Sequence, residues 1–350
     1  MKKNITYFQA INEAIKEQMK KDKKVILMGL GVDDPKGVFG TTLDIHKKFK
    51  KRVFDMPTAE NAFTGIGLGL ATSGFKPIIV HQRVEFSLLS VEQIFNQIAK
   101  WFYMSNGKVN VPIVIRLIIG KGWGQGPQHS QSLEALFTHI PGLKVVAPTF
   151  AIDAKELMIE SIKDPDPIIF FEHRWLHGNF SEIKKTKSKS KIGRATILKK
   201  GHDLSIISFS SSLIECLKCQ KFFNQIKLNA EIIDLKTLRP LDKATIIKSA
   251  KKTKKVLIVD NGMLNNGVGS EISAMINESL DNKILVKRLG VVDQPIPSSP
   301  AIARYCYPRQ KNIIETVLKM IDHKYINNFK LKEENIIGSD QPDPNYIGPF

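Results

Sequence analysis

The chain has 350 residues, 42% of them hydrophobic, and 52 Lys+Arg against 34 Asp+Glu give it a formal net charge of +18. That length and composition exclude intrinsic disorder as the main state and suggest two domains of ordinary size. No apolar run approaches the roughly 20 residues of a membrane helix; the most hydrophobic stretch, residues 111–120, is short and carries Arg116.

The positive charge does not point to nucleic acid. Nine arginines stand against 43 lysines, and arginine is the residue that reads base edges and stacks. The densest basic run, Lys184, Lys185, Lys187, Lys189, Lys191 and Arg194, alternates with Ser and Thr and keeps no apolar period, which reads as a solvated linker. The start, MKKNITYFQ, has two lysines with no apolar segment behind them, so no secretory signal is expected. Three cysteines fit a reducing cytoplasm.

In chain order, apolar runs of strand length alternate with helix-period segments, the pattern of parallel sheets covered by helices. Strands are expected at 25–28, 77–80, 112–117, 144–147 and 167–171. The clearest helix is expected at 87–104, where Leu88, Val91, Ile94, Phe95, Ile98, Trp101 and Phe102 recur on one face. After the linker, strands at 204–209, 231–235, 256–260 and 284–288 alternate with helices starting at Ser211, Asp242, Ser270 and Lys311. The organisation expected is therefore a first α/β domain over 1–180, a Lys-rich linker over 181–200, a second α/β domain over 201–325 and an extended tail over 326–350.

Two segments bear chemistry. Residues 55–71, DMPTAENAFTGIGLGLA, open a helix with Pro57 and the capping-type Thr58, place Glu60 in its first turn and then spend Gly65, Gly67 and Gly69. A carboxylate there suits the helix dipole, whereas glycines inside a helix sacrifice propensity unless another backbone or a ligand approaches closely. The spacing is not that of a dinucleotide fingerprint. Gly120, Gly122, Gly124 and Gly126 then form a loop after a strand, leading to His129. That histidine reads either as a solvated surface group or as a site residue, since α/β proteins bind ligands at the carboxyl ends of their parallel strands. The Cys216/Cys219 pair has no second pair anywhere and is not read as a metal or redox site.

The segments DMPTAENAFTGIGLGLA, EFSLLSVEQIFNQIAKWFYMS, VPIVIR, PQHSQSLEALFTHIPGLKVVAP, IIDLKTLRPLD and GVVDQPIPSSP, in this order, resemble the beta subunit of the thiamine-diphosphate-dependent 2-oxo acid dehydrogenases. The resemblance covers Ile5 to Ile321. It implies a transketolase-like pyrimidine-binding domain followed by a transketolase C-terminal domain. It implies that Glu60 hydrogen-bonds the aminopyrimidine of the cofactor, since a carboxyl in a desolvated cleft shares a proton with a ring nitrogen. It places Phe86 along that ring and makes His129 a proton-handling residue, for which imidazole is suited.

Departures touch the substrate. Leu89 stands at a cofactor-lining position where pyruvate-type members often carry Gln. His81 and Arg83 differ from better-known members and either meet an anionic substrate group or, for Arg83, form a salt bridge to Glu85 or to a partner. The resemblance also implies a structural monovalent cation such as K+ on the carbonyls of Ile113, Ser161, Ile162, Asp164 and Asp166. The chain has no Gly-Asp-Gly motif followed by Asn, so Mg2+ and half of the thiamine diphosphate site are expected from an alpha subunit in an α2β2 heterotetramer.

The expected activity is decarboxylation of a 2-oxo acid, pyruvate by default, with acyl transfer to a lipoyl-bearing acyltransferase. A thiamine-dependent decarboxylase or ligase of secondary or surface-polysaccharide metabolism is the alternative. A non-catalytic regulatory subunit is a third reading, against which Glu60, Phe86 and His129 argue together. The aromatic face of 87–104 and the small residues Gly65, Gly69 and Ala71 are expected at subunit contacts.

Overall fold

The computed structural model describes residues 4–122, 124–182, 190–280 and 284–322. Lys184, Lys185, Lys187, Lys189 and the tail over 326–350 lie outside them.

Strand β1 (Asn4–Thr6) leads into the helix Tyr7–Lys21, where Thr6 and Gln9 form a reciprocal capping box. There follow β2 (Val25–Gly29), β3 (Val53–Asp55), β4 (Lys76–His81), β5 (Val114–Ile119), β6 (Lys144–Val146), β7 (Ile168–His173) and β8 (Phe180–Glu182). The second half holds β9 (Thr196–Lys199), β10 (Leu204–Ser208), β11 (Ala230–Asp234), β12 (Thr237–Arg239), β13 (Lys255–Met263) and β14 (Leu285–Val291). A seven-stranded sheet has the order β12-β6-β7-β5-β4-β2-β3 and a five-stranded sheet the order β14-β13-β10-β11-β9, while β1 pairs with β8. All neighbours in the two larger sheets are parallel except the edge pairs β12 with β6 and β9 with β11. Strands β2, β5, β7, β10 and β11 are buried along their whole length, as a parallel sheet covered on both faces requires.

Two features bind the halves into one body. Strand β12 follows the second domain's β11 in sequence yet joins the first sheet. One apolar cluster runs from Ile79 and Ile115 through Phe137 and Leu238 to Ile207 and Ile258. The stretch expected to be linker also contributes β9, an edge strand of the second sheet. The second-half helices begin close to their expected starts. The helix Lys243–Thr253 is capped by Asp242, which accepts from the Thr245 amide at 3.1 Å.

The expected single helix over 87–104 does not form. The segment is a 3₁₀ turn series at Val84–Ser90, a π-helical stretch at Glu92–Ile98 and a short α-helical turn at Trp101–Met104. The Ala99 amide reaches back five residues to the Ile94 carbonyl at 3.0 Å, widening the spiral and rotating the apolar positions out of register. Ile94 and Ile98 are buried, whereas Leu88, Leu89, Phe102, Tyr103 and Met104 are exposed. On the helix Glu60–Thr72, Ala71 turns into the core, and the exposed face comprises Ala62, Ile66 and Gly69.

Between the middle of β5 and the end of β7, Arg116 and Glu172 form a fully buried bidentate pair at 2.5 and 2.8 Å. Arg116 also donates to Thr41 Oγ1 at 2.6 Å, anchoring the loop between β2 and β3. Burial alone would raise the Glu172 carboxyl, but Arg116 and His177 bring it below its ordinary range.

Candidate functional site

The site forms where β2, β4 and β5 end. After β2, Gly31 takes φ +71°, and a Cβ there would press on the Gln82 amide and the Asp34 carboxylate. Gln82 in turn donates to the Leu30 carbonyl at 2.8 Å, so this turn needs glycine.

Glu60 is the first residue of its helix. The preceding residue, Ala59, offers no side-chain cap, and Thr58 does not serve as one. Glu60 is only 4% exposed, and its Oε2 is buried without a hydrogen-bond partner among the described residues. One turn on, Thr64 donates to Ser90 Oγ at 3.1 Å, tying this helix to the turn series that carries Glu85 and Phe86. Nearby, Gly67 lies so close to the sheet that a Cβ would clash with Ile79.

The Gly-rich loop is folded. Gly122, Gly124 and Gly126 all adopt left-handed φ, from +67° to +80°, which accounts for glycine at alternate positions. Gly120 lies 3.1 Å, measured from an added Cβ, from both Arg83 Nη1 and Gln125 Oε1, and those two atoms hydrogen-bond at 2.5 Å.

The loop delivers His129 on a 3₁₀ turn, Gln128–Ser130. Its Nδ1 contacts Glu85 Oε1, and its ring meets Phe86 edge-on with centroids 5.9 Å apart. Among the described residues, the buried hydroxyls of Ser130 and Ser132 and the buried Glu85 Oε2 have no hydrogen-bond partner. Such buried atoms call for a partner the chain does not supply, whether solvent or a bound group.

Structure and sequence part company at Arg83 and His81. Arg83 bonds Gln125 rather than Glu85, because Glu85 is taken by His129. His81 is buried against Phe63, with ring centroids 5.2 Å apart, and lies 3.4 Å from Thr64. Burial pulls it down to about 3, so it is a neutral group and does not supply positive charge to an anion. Glu85 and Gln125 are the residues the sequence reading missed as site members; an acid beside Phe86 was the available signal.

Leu89 is 65% exposed and lines the surface beside Leu88. Ile113, Ser161, Ile162, Asp164 and Asp166 come to one corner before β5 and β7. There the carbonyls of Ile113 and Ser161 accept backbone amides, and Lys144 holds Asp164 at 2.8 Å and Asp166 at 2.9 Å. Positive charge is thus already supplied at that corner by a lysine. The Cys216 thiol is pushed up to about 12 by burial, and that of Cys219 is raised further, which disfavours thiolate chemistry.

Residues 3–179 match the family described as transketolase, pyrimidine binding domain, and residues 193–313 the family described as transketolase, C-terminal domain. The chain is 37% identical to the Arabidopsis thaliana mitochondrial pyruvate dehydrogenase E1 component subunit beta-1, covering 89% of this chain and 88% of that protein. It is 35% identical to the Rickettsia conorii pyruvate dehydrogenase E1 component subunit beta, over 90% and 98%.

The chain belongs to the 2-oxo acid dehydrogenase beta subunits of the transketolase-like family.

It is also 35% identical to the beta subunit of the acetoin:2,6-dichlorophenolindophenol oxidoreductase of Cupriavidus necator, over 91% and 98%. In fold, this beta subunit is similar to a split-gene transketolase described as an inactive beta4 tetramer, with TM-score 0.78 and 22% identity over 91% of this chain and 99% of that one. Membership implies use of thiamine diphosphate, and Glu60, with its unpartnered buried oxygen at the head of a helix, fits a pyrimidine ring. No helix among the described residues is long and apolar enough to cross a membrane.

Proposed function

We propose that this beta subunit pairs with an alpha subunit as an α2β2 heterotetramer that decarboxylates pyruvate and passes the acetyl group to a lipoyl-bearing acyltransferase. The observation that carries the reading is the buried, unpartnered Oε2 of Glu60, on a helix bonded to the turn that holds Glu85 and Phe86 against His129.

Bound thiamine diphosphate supplies the nucleophilic carbon and the electron sink for decarboxylation. The chain's own residues do the rest. Glu60 offers Oε2 to the pyrimidine ring and exchanges a proton there. Phe86 lies against the ring and excludes water from it. Glu85 orients His129 through Nδ1, leaving Nε2 as the face that handles the substrate's proton. The alpha subunit supplies Mg2+ and the diphosphate ligands. Leu88 and Leu89, exposed here, are placed at the shared face.

Pyruvate as substrate is supported by the names of the E1 relatives. Similarity to the acetoin oxidoreductase beta subunit supports an acetoin-type reading second. Three free, buried cysteines suit a reducing compartment such as the cytoplasm.

The test is Glu60→Gln in the assembled enzyme. An amide cannot exchange a proton with the ring, so deuterium exchange at the cofactor's reactive carbon should slow by roughly 10²–10⁴-fold. Unchanged exchange refutes the role.

A further inference from the structure

The string beginning at Asp260, which in sequence is the nearest approach to a metal-binding Gly-Asp-Gly run, has another part in this fold. It ends β13 in the second domain and faces the His129 loop of the first. The loop is held at both ends by one residue. At its start, Lys121 Nζ donates to the Asn261 carbonyl. At its end, Asn261 Nδ2 donates to Glu134 Oε1 at 2.6 Å. The third polar group of the asparagine, Oδ1, accepts from Ser211 Oγ at 2.6 Å. Asp260 clamps the backbone on either side, accepting from the amides of Gly262 at 2.9 Å and Gly269 at 2.6 Å.

All of these groups are buried: Lys121 is 3% exposed, Glu134 1%, Asp260 3% and Asn261 0%. Trp175 closes the cluster, donating Nε1 to the Lys121 carbonyl at 2.6 Å. Two domains that merely adhered would meet through apolar side chains, as they do elsewhere along this junction. Burying three ionisable groups is expensive, and such groups specify one arrangement rather than add cohesion. Between the two tied ends lies the turn that carries His129.

We propose that Asn261 is a positioning residue, through which the second domain holds the loop between Lys121 and Glu134 so that His129 stands against Glu85 and Phe86. The inference rests on the proton-handling role of His129 proposed above. The loop tether itself is a separate claim, and the two are tested separately.

The experiment combines hydrogen–deuterium exchange on the full-length chain with kinetics of the assembled enzyme, for Asn261→Ala, Ser211→Ala and His129→Ala. In Asn261→Ala the loop peptide over 122–132 should exchange about tenfold faster, the loss expected for a bond to a charged group. The peptide over β10 should be unchanged. kcat should fall by about tenfold with KM within about twofold, as for a group that aims a catalytic residue without binding substrate. Ser211→Ala, which removes the shorter of two bonds to the amide oxygen and leaves that from Ser212 Oγ at 3.5 Å, should shift both readouts in the same direction by less, and it decides the matter if Asn261→Ala also loosens β10. Both variants keep the Lys121 bond, which reaches the backbone carbonyl of residue 261, so unchanged loop exchange in both overturns the side-chain tether to Glu134 and with it the proposal. A loosened loop with full kcat, while His129→Ala is impaired, overturns the positioning role. Full kcat in His129→Ala as well places the failure in the proposed function instead.

Discussion

Gly67 and Gly69 lie two positions apart on the same helix and should respond oppositely to alanine. In a helix interior, glycine is about 1 kcal/mol less favourable than alanine. At Gly69 an added Cβ has nothing within 4 Å and faces outward, so Gly69→Ala should stabilise the isolated chain by about 1 kcal/mol. At Gly67 the same gain is opposed. The new methyl falls inside van der Waals contact of Ile79 Cδ1, 3.2 Å from its Cγ1 and 3.3 Å from Ile113 Cδ1, and both isoleucines are fully buried. Overpacking costs about 1–3 kcal/mol, leaving Gly67→Ala about 0–2 kcal/mol less stable than the parent chain. Urea unfolding of both variants, compared at equal slope, measures the difference. A stabilised Gly67→Ala or a destabilised Gly69→Ala refutes the reasoning. The same open space makes Gly69→Leu the probe of assembly: it should leave the isolated chain folded and weaken association with the alpha subunit in sedimentation, and association at parent strength removes this face from the interface.

Glu172→Gln strands Arg116 in a fully buried position and should cost about 3–5 kcal/mol; a loss below about 1 kcal/mol in denaturant unfolding would contradict the buried-pair account. His81 is held neutral by burial, with a folded value of about 3 against about 6.5 when unfolded. Between those values the unfolded chain binds the extra proton, so stability is full above pH 6.5 and declines as pH falls. This one histidine accounts for about 1 kcal/mol between pH 6.5 and 5.5; His81→Gln should flatten the stability-versus-pH curve by that amount, and parallel curves would count against it.

Apolar runs of strand length alternating with helical periods were enough to place the strands β2, β4, β5, β7, β10, β11 and β13, because a parallel strand covered on both faces is predominantly apolar and nothing distant is needed to read it. Glu60, Phe86 and His129, proposed above as site residues, were singled out for a different reason: they stand in segments whose resemblance to a known family is local and contiguous. Tertiary structure decided what depends on partners far along the chain. The apolar period of 87–104 reads as one helix, yet packing that carries Ile94 and Ile98 inward and widens the turn at Ala99 splits it and leaves the aromatic end exposed. Arg83 is two positions from Glu85 in sequence, but Gln125 takes the guanidinium while His129 claims the carboxylate. Asn261 has no local signature at all. It acquires its bonds only when β13 of one domain meets the loop of the other, and a hydrogen bond between residues 127 positions apart leaves no period, spacing or composition from which to read it.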